Sequence, residues 1–388
     1  MSDPGFFARQ SLVLGEEVGD VIRNTRILVV GVGAGGNELL KNLVLMGFGN
    51  FTLVDFDPIE NTNLSRTTLF TKKDIGKSKA LVAAERLTEM CLHDSPNIIG
   101  VDAKIQDIGS QVFKNHDLVV CCVDTKNARV YINDWCVRLK KPFYEMGFEK
   151  FVVQISFFPN QSSSDSCLRD FIGDATFDGK RQSCSKLKMH DTQLRHIPTI
   201  QVAAAFAGVF VATEIILFLK GESKLHNKML QYSAQYHRIL KIDIEKSEQR
   251  SAHNSHDLPI FNTKLNYNNT FKELFEELKI EHNLECYISW TEEFIYEIDC
   301  EKCKRGNLIK KFKSEVYDNE RWCLNCRSAY TEDQPVTAKW SINKSLFLTN
   351  DKHTFFLNLP MSDFGVVQKD FIELSVLNNE IQKILVMI

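Results

Sequence analysis

Three glycines follow an apolar run near the start of the chain, in a spacing typical of a backbone turn that holds a phosphate. Residues 28–36 read LVVGVGAGG, and the glycines of the pattern are Gly31, Gly33 and Gly36. Such glycines permit a tight turn and let backbone N–H groups approach an anion at the N-terminus of the following helix. Asp55 closes the next apolar run, where a carboxylate can reach ribose hydroxyls. This part of the pattern fits NAD as well as ATP.

The charged residues that come next distinguish the two nucleotides. Asn63 and Arg66 follow Asp55 closely, and Lys79 opens a helical stretch. A guanidinium and an ammonium that converge on one pocket suit a triphosphate whose leaving group is pyrophosphate, for which NAD chemistry has no use. Asp124 ends the run DLVVCCVD, at a sheet edge where a carboxylate can hold Mg²⁺. Singly, Arg66 and Lys79 are ordinary surface charges; with both aspartates they favour an ATP·Mg²⁺ site.

The elements that must carry these residues alternate between strand and helix patterns. Ile27–Val30 is typical of a strand buried on both faces, and DLVVCCVD is predicted as a third strand. The alternation predicts an α/β, Rossmann-like domain, which we place at residues 1–256. It includes a polar crossover loop at about 160–197, before a helix that starts near Ile197. The polar stretch EQRSAHNSHDLP then leads to a smaller α+β domain at 257–388.

The composition indicates a globular protein of two or three domains in a reducing compartment. A net charge of −3 over 388 residues gives no electrostatic reason to expect nucleic acid or an anionic membrane as a partner. The start, MSDPGFFARQ, lacks the pattern of a signal peptide, and two CxxC pairs favour metal binding or thiol chemistry over disulfides. We expect a cytoplasmic protein. Val202–Leu219 approaches the length of a membrane span, but we interpret it as a buried core or dimer-interface helix.

In combination these motifs resemble the ThiF family of adenylyltransferases, which includes ubiquitin-activating enzymes and the enzymes that adenylate sulfur-carrier proteins. The matching elements run from about Phe6 to about Ser255: RQ-x-L, GEE, the glycine turn, D-x-D, NL-x-R, LF, GKSKA and the later aspartate. The resemblance implies that ATP and Mg²⁺ are used to adenylate the C-terminal carboxylate of another protein. Three positions depart mildly from the family pattern without removing a charge: Ala34, Thr62 and Thr125.

The resemblance also implies a role for each site residue. Asp55 would bind the ribose and Asp124 would coordinate Mg²⁺. Three side chains would surround the phosphates: Asn63, Arg66 and Lys79. Arg9, in FFARQ, matches the arginine that reaches the ATP of the partner subunit, which implies a homodimer with composite sites.

Some members of this family stop at the acyl-adenylate, and others pass the acyl group to a cysteine of their own. The segment GKRQSCSKLKMH, residues 179–190, surrounds Cys184 with four basic residues, and positive charge favours the nucleophilic thiolate. The resemblance places the thioester cysteine in this part of the chain, ahead of a Pro198-Thr199 helix start. We therefore predict Cys184 as the nucleophile, with a free loop thiol as the alternative. Three cysteines on strand or helix patterns are weaker candidates: Cys121, Cys122 and Cys136.

Two CxxC pairs, nineteen residues apart, predict a structural zinc site in the C-terminal part. The four ligands would be Cys300, Cys303, Cys323 and Cys326. Two reduced redox pairs are the alternative, but no thioredoxin-like βαβ pattern surrounds them. Where many relatives hold another zinc with two CxxC pairs, this chain offers a mixed set or a lost site: Cys167, Asp170, His253 and His256.

The C-terminal third has the pattern of a β-grasp or of another α+β module. NNTFKELFEELK predicts a helix with a Thr270–Glu273 capping box and one apolar face. SLFLT and TFFLNLP are predicted as strands, and SDFGVVQKDFIELSV as a turn into a final strand. In ubiquitin-activating enzymes a terminal ubiquitin-fold domain docks the conjugating enzyme.

These patterns predict an enzyme that activates a ubiquitin-like protein ending in glycine, by adenylation and then by thioester transfer to Cys184 and on to a conjugating enzyme. A sulfur-carrier-type adenylyltransferase that stops at the acyl-adenylate is the first alternative. A catalytically inactive relative that acts by binding is the second, against which the set Arg9, Arg66, Lys79 and Asp124 argues.

Overall fold

The computed structural model describes residues 5–173, 199–247, 258–280, 285–289, 294–299, 303, 305–312, 340–342, 345–347, 354–378 and 380–388. These residues form two compact units. The first contains the described residues up to 247 except 108–111, and the second contains 108–111 and the described residues from 258 onwards.

The first unit is built on a sheet of eight strands. The strands are β1 (Arg26–Val30), β2 (Asn50–Val54), β3 (Asn97–Val101), β4 (Leu118–Cys121), β5 (Phe143–Glu149), β6 (Val152–Phe158), β7 (Lys228–Ser233) and β8 (Arg238–Asp243). Their order is β3-β2-β1-β4-β5-β6-β7-β8. The first five are parallel, and the last three continue the sheet in antiparallel fashion. This strand order is that of the Rossmann fold, so the predicted fold class of the first domain is confirmed.

Helices cover this sheet. They are α1 (Ala8–Leu14), α2 (Glu16–Asn24), α3 (Ala34–Leu45), α4 (Lys79–Met90), α5 (Gln111–Lys114, divided between the units), α6 (Lys126–Arg138), α7 (Leu168–Ile172) and α8 (Gln201–Leu219). Helix α8 packs on α3 and on strands β5 and β6, and Gly208 permits this closeness, because a Cβ there would lie 2.7 Å from the Glu38 Cβ. By length and composition alone α8 could cross a membrane; 39% of its most apolar window is buried. One face of α8 packs on the core of the first unit, through residues that include Ala203, Ala207, Val211 and Ile215.

The strands that lead to the site are apolar and packed on both faces, so their ends hold a fixed position. Ile27, Leu28 and Val29 of β1 are wholly buried, as the β-branched run predicts. The run DLVVCCVD contributes a strand that ends at Cys121 rather than at Asp124, and it is the fourth strand of the chain, because the short edge strand β3 precedes it. The sequence analysis missed β3, whose strand signal is limited to the pair Ile98-Ile99 in a short segment.

The second unit contains a mixed five-stranded sheet and a separate three-stranded sheet. Its elements are β9 (Ile260–Asn262), α9 (Phe271–Glu277), β10 (Glu285–Ser289), β11 (Phe294–Asp299), β12 (Gly306–Phe312), β13 (Trp340–Ile342), β14 (Ser345–Phe347), β15 (Phe371–Asn378) and β16 (Glu380–Met387). The larger sheet has the order β14-β10-β15-β16-β9, with β9 parallel to β16, and the smaller has the order β12-β11-β13. Helix α9 packs its apolar face into the core formed with β10, β15 and β16.

The prediction of α9 is confirmed, including its capping box: the Thr270 hydroxyl accepts from the Glu273 N–H, and the Glu273 carboxylate accepts from the Thr270 N–H. Two strand predictions are wrong. Thr354–Asn358, in TFFLNLP, forms a 3₁₀ helix that buries Phe356 in the core, and β15 is followed by the further strand β16. A mixed sheet with one packed helix is compatible with the β-grasp, which remains a prediction.

Candidate functional site

The predicted site residues of the first unit follow neighbouring parallel strands at their carboxyl ends. Gly31 comes directly after β1, Asp55 directly after β2, and Asp124 three residues after β4 ends at Cys121. The strand order reverses between β1 and β4, and open α/β sheets bind ligands in the crevice at such a point. The Gly31 N–H donates to the Val54 carbonyl at 2.8 Å, which fixes the turn against β2.

Each of the three predicted glycines does something different in the turn. Gly31 has φ +92°, and a Cβ there would lie 2.7 Å from the Cys122 carbonyl oxygen. At Gly36 a Cβ would lie 2.3 Å from the Gly31 carbonyl oxygen, so this glycine lets α3 pack against the turn. At Gly33, the residue before α3, a Cβ would meet no atom within 4 Å. The space beside Gly33 is therefore open at a helix N-terminus, where backbone N–H groups attract anions.

Asp55 is fixed by backbone N–H groups. Its Oδ2 accepts from the Val32 N–H at 2.6 Å, and its Oδ1 accepts from the Asp57 N–H at 2.9 Å. Burial raises the pKa of Asp55 above its ordinary value, although the nearby Lys79 and these two hydrogen bonds act in the opposite direction. The carboxylate is therefore held in one orientation beside the glycine turn, as an acceptor for hydroxyl groups requires.

Lys79 lies near Asp55 because the segment that precedes α4 pairs with the segment that follows β2. Pro58 and Ser78 form an antiparallel bridge, and the Lys79 N–H donates to the Asp57 carbonyl at 3.2 Å. The Lys79 ammonium then donates to Asp57 Oδ2 at 2.9 Å. The Lys79 side chain is only 10% exposed, whereas that of Asp57 is 42% exposed. A buried cation thus lies next to two carboxylates; Asp57 is a partner that the sequence analysis did not assign.

Asn63 and Arg66 belong to one segment, the 61–70 loop, which begins with a 3₁₀ helix at Asn61–Asn63. Asn63 is buried, and its Oδ1 accepts from the Glu60 N–H at 2.9 Å. The Arg66 guanidinium donates to the Thr62 carbonyl at 2.8 Å, and the Arg66 N–H donates to the Asn63 carbonyl at 3.0 Å. Asn63 therefore shapes the loop, and Arg66 is its half-buried cation.

Asn37 connects this loop to the glycine turn and was missed by the sequence analysis. Its side chain is completely buried on α3. Its Nδ2 donates to the Val32 carbonyl at 2.7 Å and to the Gly33 carbonyl at 3.1 Å. Its Oδ1 accepts from the Leu69 N–H at 2.9 Å. The signal in the sequence is an asparagine directly after the glycines, in a helix whose neighbouring positions are mostly small or apolar.

Arg9 and Asp124 are both exposed, and Arg9 lies far from the glycine turn within one chain. The next residue on α1, Gln10, donates to the Met46 carbonyl at 2.8 Å, which fixes α1 to the C-terminal end of α3. Helix α3 has 12 residues, or about 18 Å at 1.5 Å per residue, and its other end carries the glycine turn. The single chain therefore does not bring Arg9 to its own glycine turn.

The described cysteines of the first unit include several thiols that burial keeps protonated. Cys121 and Cys136 are wholly buried, and desolvation raises the pKa of both and of Cys122. Burial also raises the pKa of Cys167 to about 12. Because the thiolate is the reactive form, these four are poor nucleophiles. Cys184, the predicted nucleophile, lies outside the described residues.

The metal predictions rest mostly on residues outside the described ranges. Of the four predicted zinc ligands, only Cys303 is described, and His253 and His256 are likewise outside. Asp170 instead accepts from the Cys167 N–H at 2.8 Å and from the Ser247 N–H at 3.0 Å, so it caps α7 and fixes a neighbouring segment. Within the part of the chain that the structure describes, no group of three or more His, Cys, Asp or Glu side chains is arranged to hold a metal.

Together, the parallel sheet, the open glycine turn and the fixed carboxylate define an α/β domain of the Rossmann class. The chain belongs to the ThiF family, whose model matches residues 7–253, and the predicted resemblance is confirmed.

Two curated relatives are similar over part of this domain. SUMO-activating enzyme subunit 2 of Dictyostelium discoideum is 41% identical over 145 residues, which cover 37% of this chain and 22% of that protein. The NEDD8-activating enzyme E1 catalytic subunit of Caenorhabditis elegans is 38% identical over 121 residues, which cover 31% of this chain and 28% of that protein. The matched region thus spans about a quarter of the length of these relatives.

The solved structure of E. coli MccB with ATP has a similar fold. It superposes with a TM-score of 0.54 at 21% identity, over 65% of this chain and 75% of that chain. MccB in complex with N-formylated MccA gives the same TM-score and identity over the same coverage.

Proposed function

We propose that this protein uses ATP and Mg²⁺ to adenylate the C-terminal carboxylate of a ubiquitin-like protein. The observation that carries the proposal is the placement of Lys79 beside Asp55 and Asp57, at the sheet edge that also holds the open glycine turn. A buried cation next to a fixed carboxylate and a helix N-terminus suits a ribose followed by a triphosphate. The names of the two curated relatives support a ubiquitin-like protein as the substrate class.

In this reaction a carboxylate oxygen attacks the α-phosphorus of ATP, the bond to the bridging oxygen breaks, and pyrophosphate leaves. Asp55 accepts hydrogen bonds from the ribose, and N–H groups at the start of α3 hold phosphate oxygens. Lys79 and Arg66 neutralise the charge that grows on the departing pyrophosphate, and Asp124 would hold the Mg²⁺. The protein thus contributes positioning and charge stabilisation.

The acyl group then passes to Cys184 as a thioester, and from there to a conjugating enzyme docked by the C-terminal unit. The Cys184 thiolate attacks the acyl carbon, and AMP leaves. Cys300, Cys303, Cys323 and Cys326 would hold a structural zinc. The enzyme is a homodimer in which Arg9 reaches the nucleotide of the other subunit. Two observations support the dimer: α1 is fixed at the far end of α3, and its Leu12 and Val13 side chains are 88% and 76% exposed.

A second candidate function is adenylation without a thioester. It is favoured by the raised pKa of four described cysteines, because burial holds these thiols in the protonated, poorly nucleophilic form. The sulfur atom of a sulfur donor would then attack the acyl carbon of the adenylate, and AMP would leave.

One experiment separates the two. The protein is incubated with Mg·ATP and SUMO, NEDD8 or ubiquitin, and the products are compared on gels with and without a thiol reductant. We expect a thiol-sensitive adduct in the wild type and none in Cys184→Ala, with Cys136→Ala as a control for a buried cysteine. If the wild type releases pyrophosphate but forms no adduct, the second function replaces the first.

A further inference from the structure

The Asn37 side chain joins the two halves of the proposed nucleotide site, and none of the roles above uses it. On one side it donates to the Val32 and Gly33 carbonyls of the glycine turn, and on the other it accepts from Leu69 in the 61–70 loop. A primary amide provides two donors and one acceptor on a short side chain, which these three bonds use.

The same hydrogen-bond network extends to Asp55. The Val32 N–H donates to Asp55 Oδ2, and the carbonyl of the same residue accepts from Asn37. A continuous hydrogen-bonded path therefore runs from Asp55 through Val32 and Asn37 to Leu69. Its ends are the proposed ribose ligand and the loop that carries Arg66.

These bonds matter because each of them satisfies a backbone group and Asn37 is completely buried. A small apolar residue at this position leaves the Val32 carbonyl and the Leu69 N–H without this partner, whereas the Gly33 carbonyl keeps the backbone N–H of residue 37. A buried polar group that loses its partner is costly. The turn and the 61–70 loop are consequently free to separate in such a variant, even though α3 itself keeps its own hydrogen bonds.

We propose that Asn37 is a positioning residue that sets the distance between the glycine turn and the 61–70 loop, so that Arg66 meets the phosphates held by the turn. This inference rests on the proposed function, because it requires ATP to bind between the two. Asn37 does not touch the nucleotide; it acts through Arg66.

A double-mutant cycle on nucleotide affinity tests the inference with Mg·ATP alone as the probe, measured by calorimetry without an acyl substrate. The variants are Asn37→Ala, Arg66→Ala and the double variant. We expect Asn37→Ala to weaken binding by about tenfold in the wild-type background and by less than about twofold when Arg66 is already absent, since residues that act as a unit are not additive. Asn42→Ala is the matched control, because Asn42 lies on the same helix and its side-chain amide donates to the Glu38 carbonyl of that helix at 2.7 Å.

The melting temperature without nucleotide shows how far each variant is destabilised. A purely structural role for Asn37 predicts that its effect on affinity multiplies with that of Arg66→Ala, and this result would overturn the inference while leaving the proposed function intact. Wild-type protein that does not bind Mg·ATP overturns both. Should Asn37→Ala fail to fold, Asn37→Ser, which keeps a donor and an acceptor on a shorter side chain, goes through the same cycle with the same two readings.

Discussion

Alanine at Gly36 should lower stability, whereas alanine at Gly33 should lower ATP affinity with little change in stability. At Gly36 the new Cβ would lie 2.3 Å from the Gly31 carbonyl oxygen, whereas carbon–oxygen contacts normally lie near 3.3 Å, so about 1 Å of backbone movement is needed. Overpacking costs about 1–3 kcal/mol, and the upper value applies because a backbone atom cannot rotate away. Replacing glycine by alanine within a helix stabilises it by about 1 kcal/mol, which offsets part of this cost.

The net loss at Gly36 is therefore about 2 kcal/mol, which lowers the melting temperature by roughly 4–8 °C for a domain of this size. At Gly33 the Cβ meets nothing within 4 Å, and φ of −74° suits any residue. Replacing glycine lowers the conformational entropy of the unfolded chain, which stabilises the fold, and alanine is a weaker N-cap than glycine, which destabilises it. These two effects nearly cancel, so stability should stay within about 1 kcal/mol of wild type.

ATP affinity, unlike stability, should respond strongly to the alanine at Gly33. The Cβ of Gly33→Ala would occupy the open space where a phosphate approaches the helix N-terminus, so we expect affinity to fall by about tenfold or more, or about 1.4 kcal/mol. Differential scanning fluorimetry and calorimetric titration with Mg·ATP measure the two quantities. The reasoning is refuted if Gly33→Ala binds ATP as tightly as wild type, or if Gly36→Ala melts at the wild-type temperature.

Three further predictions concern single side chains. Lys79→Met should reduce the adenylation rate by about 10²–10³-fold, since a charge that faces the leaving pyrophosphate is lost; pyrophosphate release measures this, and a rate within twofold of wild type contradicts the role. Burial lowers the pKa of His116 from 6.5, and the ring bonds the Thr52 hydroxyl and the Val112 carbonyl. The fold therefore favours neutral His116, and stability falls as pH drops below 6.5. The melting temperature of His116→Gln should depend less on pH between pH 7 and 5 than that of the wild type, and equal slopes of melting temperature against pH would exclude this role. Hydrogen bonds from Thr71 and Lys77 lower the pKa of Asp74 from 3.8 to about 2, so its stabilisation is present above pH 3.8 and is lost toward pH 2. Asp74→Asn should lose that dependence in acid titrations followed by circular dichroism, and an unchanged acid transition would show that Asp74 is not its source.

The first unit could largely be predicted from the sequence because its signals are local. The run of Ile27 to Val30 identifies a strand buried on both faces, and the glycines identify the turn that follows. Once two strands are known to be parallel neighbours, the meeting of Gly31 and Asp55 at one sheet edge follows from topology. Lys79 was predicted at the start of a helix, and α4 begins there.

Other features depend on partners that are distant in the sequence. Asp57 becomes the Lys79 partner only because the segments around Pro58 and Ser78 pair, and no local pattern shows this pairing. Asn37 likewise acquires its role from Leu69, 32 positions away. In the second unit, TFFLN alternates like a strand, but it forms a 3₁₀ helix, because burying Phe356 in the core outweighs a weak local strand preference.

The central claim is that this chain adenylates a protein carboxylate, and isotope exchange between pyrophosphate and ATP tests it most directly. The protein is mixed with Mg·ATP, labelled pyrophosphate and SUMO, NEDD8 or ubiquitin ending in a free glycine carboxylate, each beside the same protein with an amidated C-terminus. The account predicts that label enters ATP with at least one free-carboxylate protein, not with its amidated form, and is lost in Lys79→Met. Exchange that persists with the amidated protein, or no exchange with any of the three, would contradict it.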